Sequence, residues 1–162
     1  MISRKQLHKE QAVSLLIAMV YVEVFTLLTQ ENEWSIVEEK LKTMGANIAK
    51  SYFEIYKPSK SSISGIIKDL AINLAGMKRI KLMRTEDGFT ITTHDCPLCQ
   101  SNIEVEGKQF CIPTMAILET FLNLMFNNTP WKFPYKQVIG TVKKSISSGD
   151  DECEYHYRLI RR

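Results

Sequence analysis

This sequence lacks most of what would announce an enzyme or a nucleic-acid-binding protein. It has three histidines, His8, His94 and His156, far apart along the chain, so no nucleophile, base and orienting group stand out as a set. No Gly-x-Gly-x-x-Gly occurs, and the glycines of "MGANIAKS" and "SISGIIKD" stand alone, which removes the usual dinucleotide-phosphate cradle. Charge of one sign is scarce: the net charge is +3, short of the concentrated basic stripe that nucleic acid requires. No internal repeat or low-complexity segment is visible. The one long apolar run, Ala12 to Val22, is too short to span a bilayer and is flanked by Glu10 and Glu23. The basic residues ahead of it imitate a secretion signal, but no small-x-small cleavage site follows. The run therefore reads as a buried or interface helix of a cytoplasmic protein, a reducing setting where cysteines serve metal or redox chemistry rather than disulfides.

What is present suits one globular domain: 162 residues, 44% hydrophobic and 24% charged, enough to bury a core without staples. The first half reads as helices. One runs from about Lys5 to Thr29 and is apolar nearly all round over Ala12 to Val22, so it packs on more than one side. A second covers roughly Asn32 to Ile55, with Trp34, Val37, Leu41, Met44, Ile48 and Tyr52 stepping by three and four as a core stripe. After the loop "KPSKSSIS", a third carries Ile63, Ile66, Ile67, Leu70, Ala71 and Leu74 on one side and ends at Gly76 as its cap. Its Ser-rich start and the following "MKRIKLMR" invite a winged helix-turn-helix reading. Against it, the basic residues alternate with Ile80 and Leu82 as on a half-exposed strand, and no base-reading side chain opens the helix.

The second half changes period. "IKLMRTEDGFTITT" predicts a hairpin with Asp87-Gly88 in its turn and Phe89, Ile91 and Thr93 on one face. "NIEVEGKQF" carries a further turn at Glu106 to Lys108. "IPTMAILETFLNLMF" predicts a helix opened by Pro113 and closed by Asn127-Asn128. "KQVIGTVKKSIS" and "ECEYHYRLI" are strands joined by "SGDD"; in the last, Cys153, Tyr155, Tyr157 and Leu159 share a face opposite Glu154, His156 and Arg158. Helices first, then a small antiparallel sheet with one inserted helix, is the α+β class.

The chain has four cysteines: Cys96 and Cys99 in the knuckle "CPLC", then Cys111 and Cys153, each alone. A thioredoxin-like pair would need the knuckle to open a helix, and "QSNIEVEG" does not continue as one. Four ordinary buried thiols are another reading. The reading preferred here is a tetrahedral metal site on Cys96, Cys99, Cys111 and Cys153. A two-residue spacer lets one tight turn present two thiolates to Zn²⁺ at about 2.3 Å, and the other two ligands come from wherever the fold delivers them. Cys111 and Cys153 both lie at element ends. His94 is a fallback ligand; His156 points away from Cys153 on its strand. Four protein ligands make a closed, structural site.

"HDCPLC", then "KQFCIP" leading into an apolar helix, then "SSGDDECEYHY" closing a strand resemble the 4-vinyl reductase domain, also labelled hydrocarbon-binding. Its most specific mark is matched by Gly149, Asp150, Cys153 and Tyr155. "KLKTMGANIAKSYFE" resembles the helix that these domains share with subunits of the TRAPP vesicle-tethering complex. The resemblance covers about Trp34 to Leu159. It implies N-terminal helices on a twisted antiparallel sheet, TRAPP-subunit-like, often dimeric through those helices, and a domain that binds a small apolar or aromatic molecule. This chain departs from the zinc-binding relatives. Where they have a Glu-x-x-Cys pair, it has Val142 and Ser145, so Cys96 and Cys99 are expected to supply the missing thiolates. No ligand-pocket residue carries over, and Tyr155 and Tyr157 read as sheet-face packing.

The expectation is thus a single domain over residues 1–162, with residues 1–30 as a core or dimer helix and residues 89–162 as the metal-binding α+β part. The function expected first is a non-enzymatic module with one structural zinc that encloses an apolar or aromatic molecule, in a sensory or regulatory setting, as a cytoplasmic homodimer. The alternatives are an interaction scaffold like the TRAPP subunits, and a reductase acting on a vinyl group, which would need a hydride or electron source.

Overall fold

The computed structural model describes residues 24–27, 29–30, 33–58, 60–99, 108–128 and 133–162. The helix expected over Ala12 to Val22, His8, and all but the last residue of the turn expected at Glu106 to Lys108 lie outside them. The chain divides into two compact units, Met1–Val37 and Glu38–Arg162. In the first, residues 24–27 and 29–30 are helical, and the Phe25 ring meets Trp34 edge-on at 6.2 Å.

Helix α1, Trp34–Phe53, forms where the three-and-four spacing predicts it, but its buried line is different. Val37, Leu41, Gly45 and Ala49 are buried, whereas Met44 and Ile48 are half-buried and Tyr52 is 45% exposed. The reason is steric. A Cβ on Gly45 would lie 2.4 Å from the Pro113 carbonyl oxygen and 2.9 Å from Ala116 Cβ, so small residues, not large ones, mark the face that meets the later helix. At the end of α1 and just after it, Phe53 and Tyr56 pack edge-on against Phe121 at 5.2 and 6.1 Å. The Tyr56 hydroxyl donates to Asp69 Oδ2 at 2.8 Å.

Helix α2, Ile63–Asp69, is capped by Ser62, whose Oγ accepts the Gly65 N–H, and buries Ile66 and Ile67. It runs on through a π-helical turn, Leu70–Leu74, in which Ala75 N–H reaches back five residues to the Leu70 carbonyl at 2.9 Å. Gly76, at φ 70, ends it as the sequence predicts: the left-handed turn lets Met77 N–H donate to the Ala71 carbonyl at 3.0 Å.

The sheet has four antiparallel strands in the order β1-β2-β4-β3: β1 Lys81–Arg84, β2 Gly88–Thr93, β3 Tyr135–Lys144 and β4 Cys153–Arg161. Helix α3, Ile112–Asn128, lies between β2 and β3 in sequence. It buries Met115, Leu118, Phe121, Leu122 and Met125 and lies close enough to the sheet that a Cβ on Gly140 would meet Met115 Sδ at 2.3 Å. The fold is α+β, helices with a four-stranded antiparallel sheet, as expected.

One detail of the hairpin differs. Thr85 N–H bonds the Gly88 carbonyl at 3.1 Å, which places Glu86 and Asp87 at the centre of the turn rather than Asp87-Gly88. Gly88 has no positive φ; it is required because a Cβ there would sit 1.9 Å from the Tyr157 carbonyl oxygen on β4. One residue further on, Phe89 and Tyr157 pair across the strands and stack at 4.8 Å. Gly88→Ala should therefore force β2 from β4 and cost about 1–3 kcal/mol, read as a lower urea midpoint. Unchanged stability would contradict this register.

Candidate metal centre

Three parts of the fold deliver the four cysteines. The knuckle follows β2: Thr93 Oγ1 donates to the Lys78 carbonyl at 2.6 Å and accepts the Asp95 N–H at 3.0 Å. Arg79, at φ 46, grips Asp95 through Nη2 at 2.8 Å. Beyond this anchor Cys99 N–H bonds the Cys96 carbonyl at 3.1 Å, the tight turn that sets two sulfurs side by side. Cys111 immediately precedes α3 and Cys153 is the first residue of β4, where its pairing with Thr93 brings it next to the knuckle.

All four thiols are buried and unbridged, and their Sγ atoms lie within 4.8 Å of one another. Cys99 and Cys153 are 3.5 Å apart. A tetrahedron with about 2.3 Å metal–sulfur bonds has edges of about 3.8 Å, so the set fits a zinc-sized ion with little movement.

The surroundings suit thiolates as well. The Tyr155 hydroxyl donates to Cys96 Sγ at 3.1 Å, and Ile146 N–H points at Cys153 Sγ at 3.5 Å. Ser145 Oγ lies 3.3 Å from Cys111 Sγ and 3.6 Å from Cys99 Sγ. It continues a polar relay: Ser145 and Ser147 hydroxyls are 2.7 Å apart, and Ser147 accepts Phe110 N–H and donates to the Lys108 carbonyl. Burial, then the charge of the neighbouring cysteines, pushes the Tyr155 phenol well above its ordinary range, so it stays a proton donor. Without a metal the four sulfurs share protons unevenly. Hydrogen bonds from Cys111 and Cys153 hold Cys96 and Cys99 below the usual thiol range. Bonds to Cys153, Cys96 and Cys99, with burial, raise Cys111. Cys153 also rises; its bond with Cys111 opposes this, but Cys96, Cys99 and burial prevail.

Each residue of the closing motif has a place here. Gly149 takes φ 93, Asp150 Oδ2 accepts the Ser145 N–H at 2.8 Å, Cys153 brings a sulfur and Tyr155 a hydroxyl. Ser145, where the resemblance read from sequence would place a cysteine, lies against the cluster as a hydroxyl. His94 stands outside it, its side chain 65% exposed and Nδ1 3.0 Å from the Asp151 carbonyl oxygen. His156 sits 3.4 Å from Asp87, away from the cysteines. Sequence reasoning missed the cluster's polar neighbours Ser145, Ile146 and Tyr155.

Held by four thiolates, an ion would have no open position; it would cross-link the knuckle, the start of α3 and the start of β4. Elemental analysis of reduced protein should find about one zinc per chain, released by strong chelator or acid as protons take the thiolates. Cys153→Ser should abolish stoichiometric binding. Tyr155→Phe should keep one site but weaken it about 10–100-fold in chelator competition. Equal affinity in that variant would show that the phenol does not support the sulfurs.

No family model matches the chain, so the 4-vinyl reductase resemblance rests on its short motifs alone. No curated protein matches it in sequence either. Among solved structures, the chain is similar to the crystal structure of a trafficking protein particle complex subunit 3 from Naegleria fowleri covalently bound to palmitic acid. The TM-score is 0.71 at 18% identity, over 94% of this chain and 99% of that one. At that identity the likeness is one of fold, and it is nearly end to end: this chain has the fold of a TRAPP subunit.

Proposed function

We propose that this chain is a non-enzymatic interaction subunit, an α+β scaffold whose core is pinned by a four-thiolate zinc site. The observation that carries the reading is the match over 94% of the chain to a subunit of a protein complex. Fold alone does not dictate activity, and the reading rests on the fold together with the exposed residues that follow. Supporting it, Val24, Leu27 and Ile36 are 45, 55 and 43% exposed. They lie in or beside the segment whose apolar run was read from sequence as an interface helix, and exposed aliphatic side chains there suit a protein partner. The proposed partner is a second copy of the chain or a related subunit, joined through the N-terminal unit.

The apolar-ligand reading, first from sequence, becomes second. It is favoured by a groove of ≈ 280 Å³ lined by Ile63, Ile67, Leu82, Phe89, Tyr135 and Leu159. That volume falls below the about 300–1,000 Å³ of ordinary ligand sites. Beside α3, moreover, Tyr155 and Tyr157 are fully buried packing residues. A covalent acyl chain, as on the structural neighbour, meets a further conflict here. The chain has four cysteines and all four belong to the one cluster, so a thioester would take a sulfur from the metal. Zinc and a thioester are exclusive alternatives, and the proposal is zinc.

Sedimentation over a dilution series should show a species heavier than the 18.7 kDa chain, with Val24→Glu/Leu27→Glu shifted toward monomer at least about tenfold in concentration. A wild type that stays monomeric throughout, alone and with any copurified subunit, would overturn the scaffold reading. Native and denaturing mass spectra should show bound metal and no acyl adduct; a thioester with no metal would overturn the zinc assignment.

A further inference from the structure

Among the described residues, strand β3, ten residues long, is an outer edge of the sheet. A strand of that length at an edge is a template for pairing with another chain. Between its two bulges, β3 pairs regularly with β4 from Gln137 to Val142, so alternate residues Val138, Gly140 and Val142 turn their backbone groups away from the sheet. Those groups are met by side chains. Asn123 Oδ1 accepts the Val138 N–H at 2.7 Å and Asn123 Nδ2 donates to the Val138 carbonyl at 3.0 Å. Asn127 Nδ2 donates to the Lys136 carbonyl at 3.3 Å and Gln109 Nε2 reaches the Val142 carbonyl at 3.5 Å; the Glu119 carboxylate faces the Gly140 N–H, which opposes the rise that burial imposes on it.

Three of these four side chains come from α3 at positions 119, 123 and 127, one helical step of four apart. Four helical residues rise about 6.0 Å, and two strand residues rise about 6.6–6.8 Å. A stripe at every fourth helix position can therefore follow every second residue of an antiparallel strand. The rungs run Glu119 to Gly140, Asn123 to Val138 and Asn127 to Lys136. Asn123 offers the donor and acceptor of one peptide unit and occupies both groups of Val138, as a neighbouring strand would. At the opposite edge, β1 has four residues and carries Lys81 and Arg84, itself a poor template.

We infer that Glu119, Asn123 and Asn127 form an edge guard: a helix-borne polar ladder that stands in for a fifth strand and closes β3 to strand addition by a second copy of this chain. Partners of the chain then engage surfaces other than the sheet edge. This inference is independent of the N-terminal association proposed above.

The test uses the full chain with Asn123→Ala/Asn127→Ala and, as probe, a synthetic peptide of the β3 sequence YKQVIGTVKK. In the wild type, the Val138 amide should be protected from hydrogen exchange although it faces away from β4, and the peptide should not bind. The double variant, with a native far-UV spectrum, should exchange at Val138 at least about tenfold faster, bind the peptide, and form species larger than those of the wild type at the same concentration. If the double variant does not fold, Asn123→Asp keeps the acceptor for Val138 N–H and loses the donor to its carbonyl; partial peptide binding is then expected. A folded variant that exchanges faster but neither binds the peptide nor forms larger species than the wild type would overturn the guard, as would unchanged exchange at Val138.

Discussion

The pairing of β2 with β4 is the contact on which the rest of this structure depends. One register, Gly88 opposite Arg158 through Thr93 opposite Cys153, does three things at once. It stacks Phe89 on Tyr157, it requires a residue without a side chain at 88, and it carries Cys153 to the knuckle that leaves β2. Because side chains alternate with period two, a slip of one residue would turn Cys153, Tyr155 and Tyr157 to the opposite face together. Core and cysteine cluster thus share a single geometric condition.

The cluster is a polar object inside an apolar setting, and its tolerance there follows from hydrogen bonds. A thiolate stripped of water is costly unless donors face it. The Tyr155 hydroxyl and the Ile146 amide provide such donors, and Ser145 can turn its proton toward a sulfur or along the serine relay. The 3₁₀ turn Ile146–Ser148 and Gly149 hold this loop in shape, so the glycine and aspartate of the closing motif act on the sulfurs through the backbone of residues 145 and 146.

Much of this could be read from residue order. Alternation in "GFTITT" and "ECEYHY" marked the central strands, and cysteines placed at element ends were the ones the fold gathers. Periodicity misled in α1, where Tyr52 and Met44 were counted as core. Gly45 and Ala49, which apolar counting passes over, hold the close face because a helix approaches another most nearly where side chains are smallest. The hairpin turn was placed one residue late because Asp-Gly is a strong turn signal, while Gly88 answers to a carbonyl on a strand some seventy residues later, which no local pattern reveals. The polar stripe Glu119, Asn123 and Asn127 on an otherwise apolar helix was a signal in plain view. Its meaning needed the strand beside it, and Asn127 was read only as a helix stop.

The strand order has a consequence for assembly of the molecule. β4 is the last strand in sequence, yet it lies between β2 and β3. During vectorial synthesis the β1–β2 hairpin and β3 emerge with no partner for each other, each waiting for the same late segment. Pairing of β4 with both neighbours joins the two halves and sets Cys153 among the other three sulfurs, so sheet closure and assembly of the cluster share one geometric event. Such non-local topology makes for slow folding, and the asparagines that bond the far side of β3 belong to α3, which is made before β4.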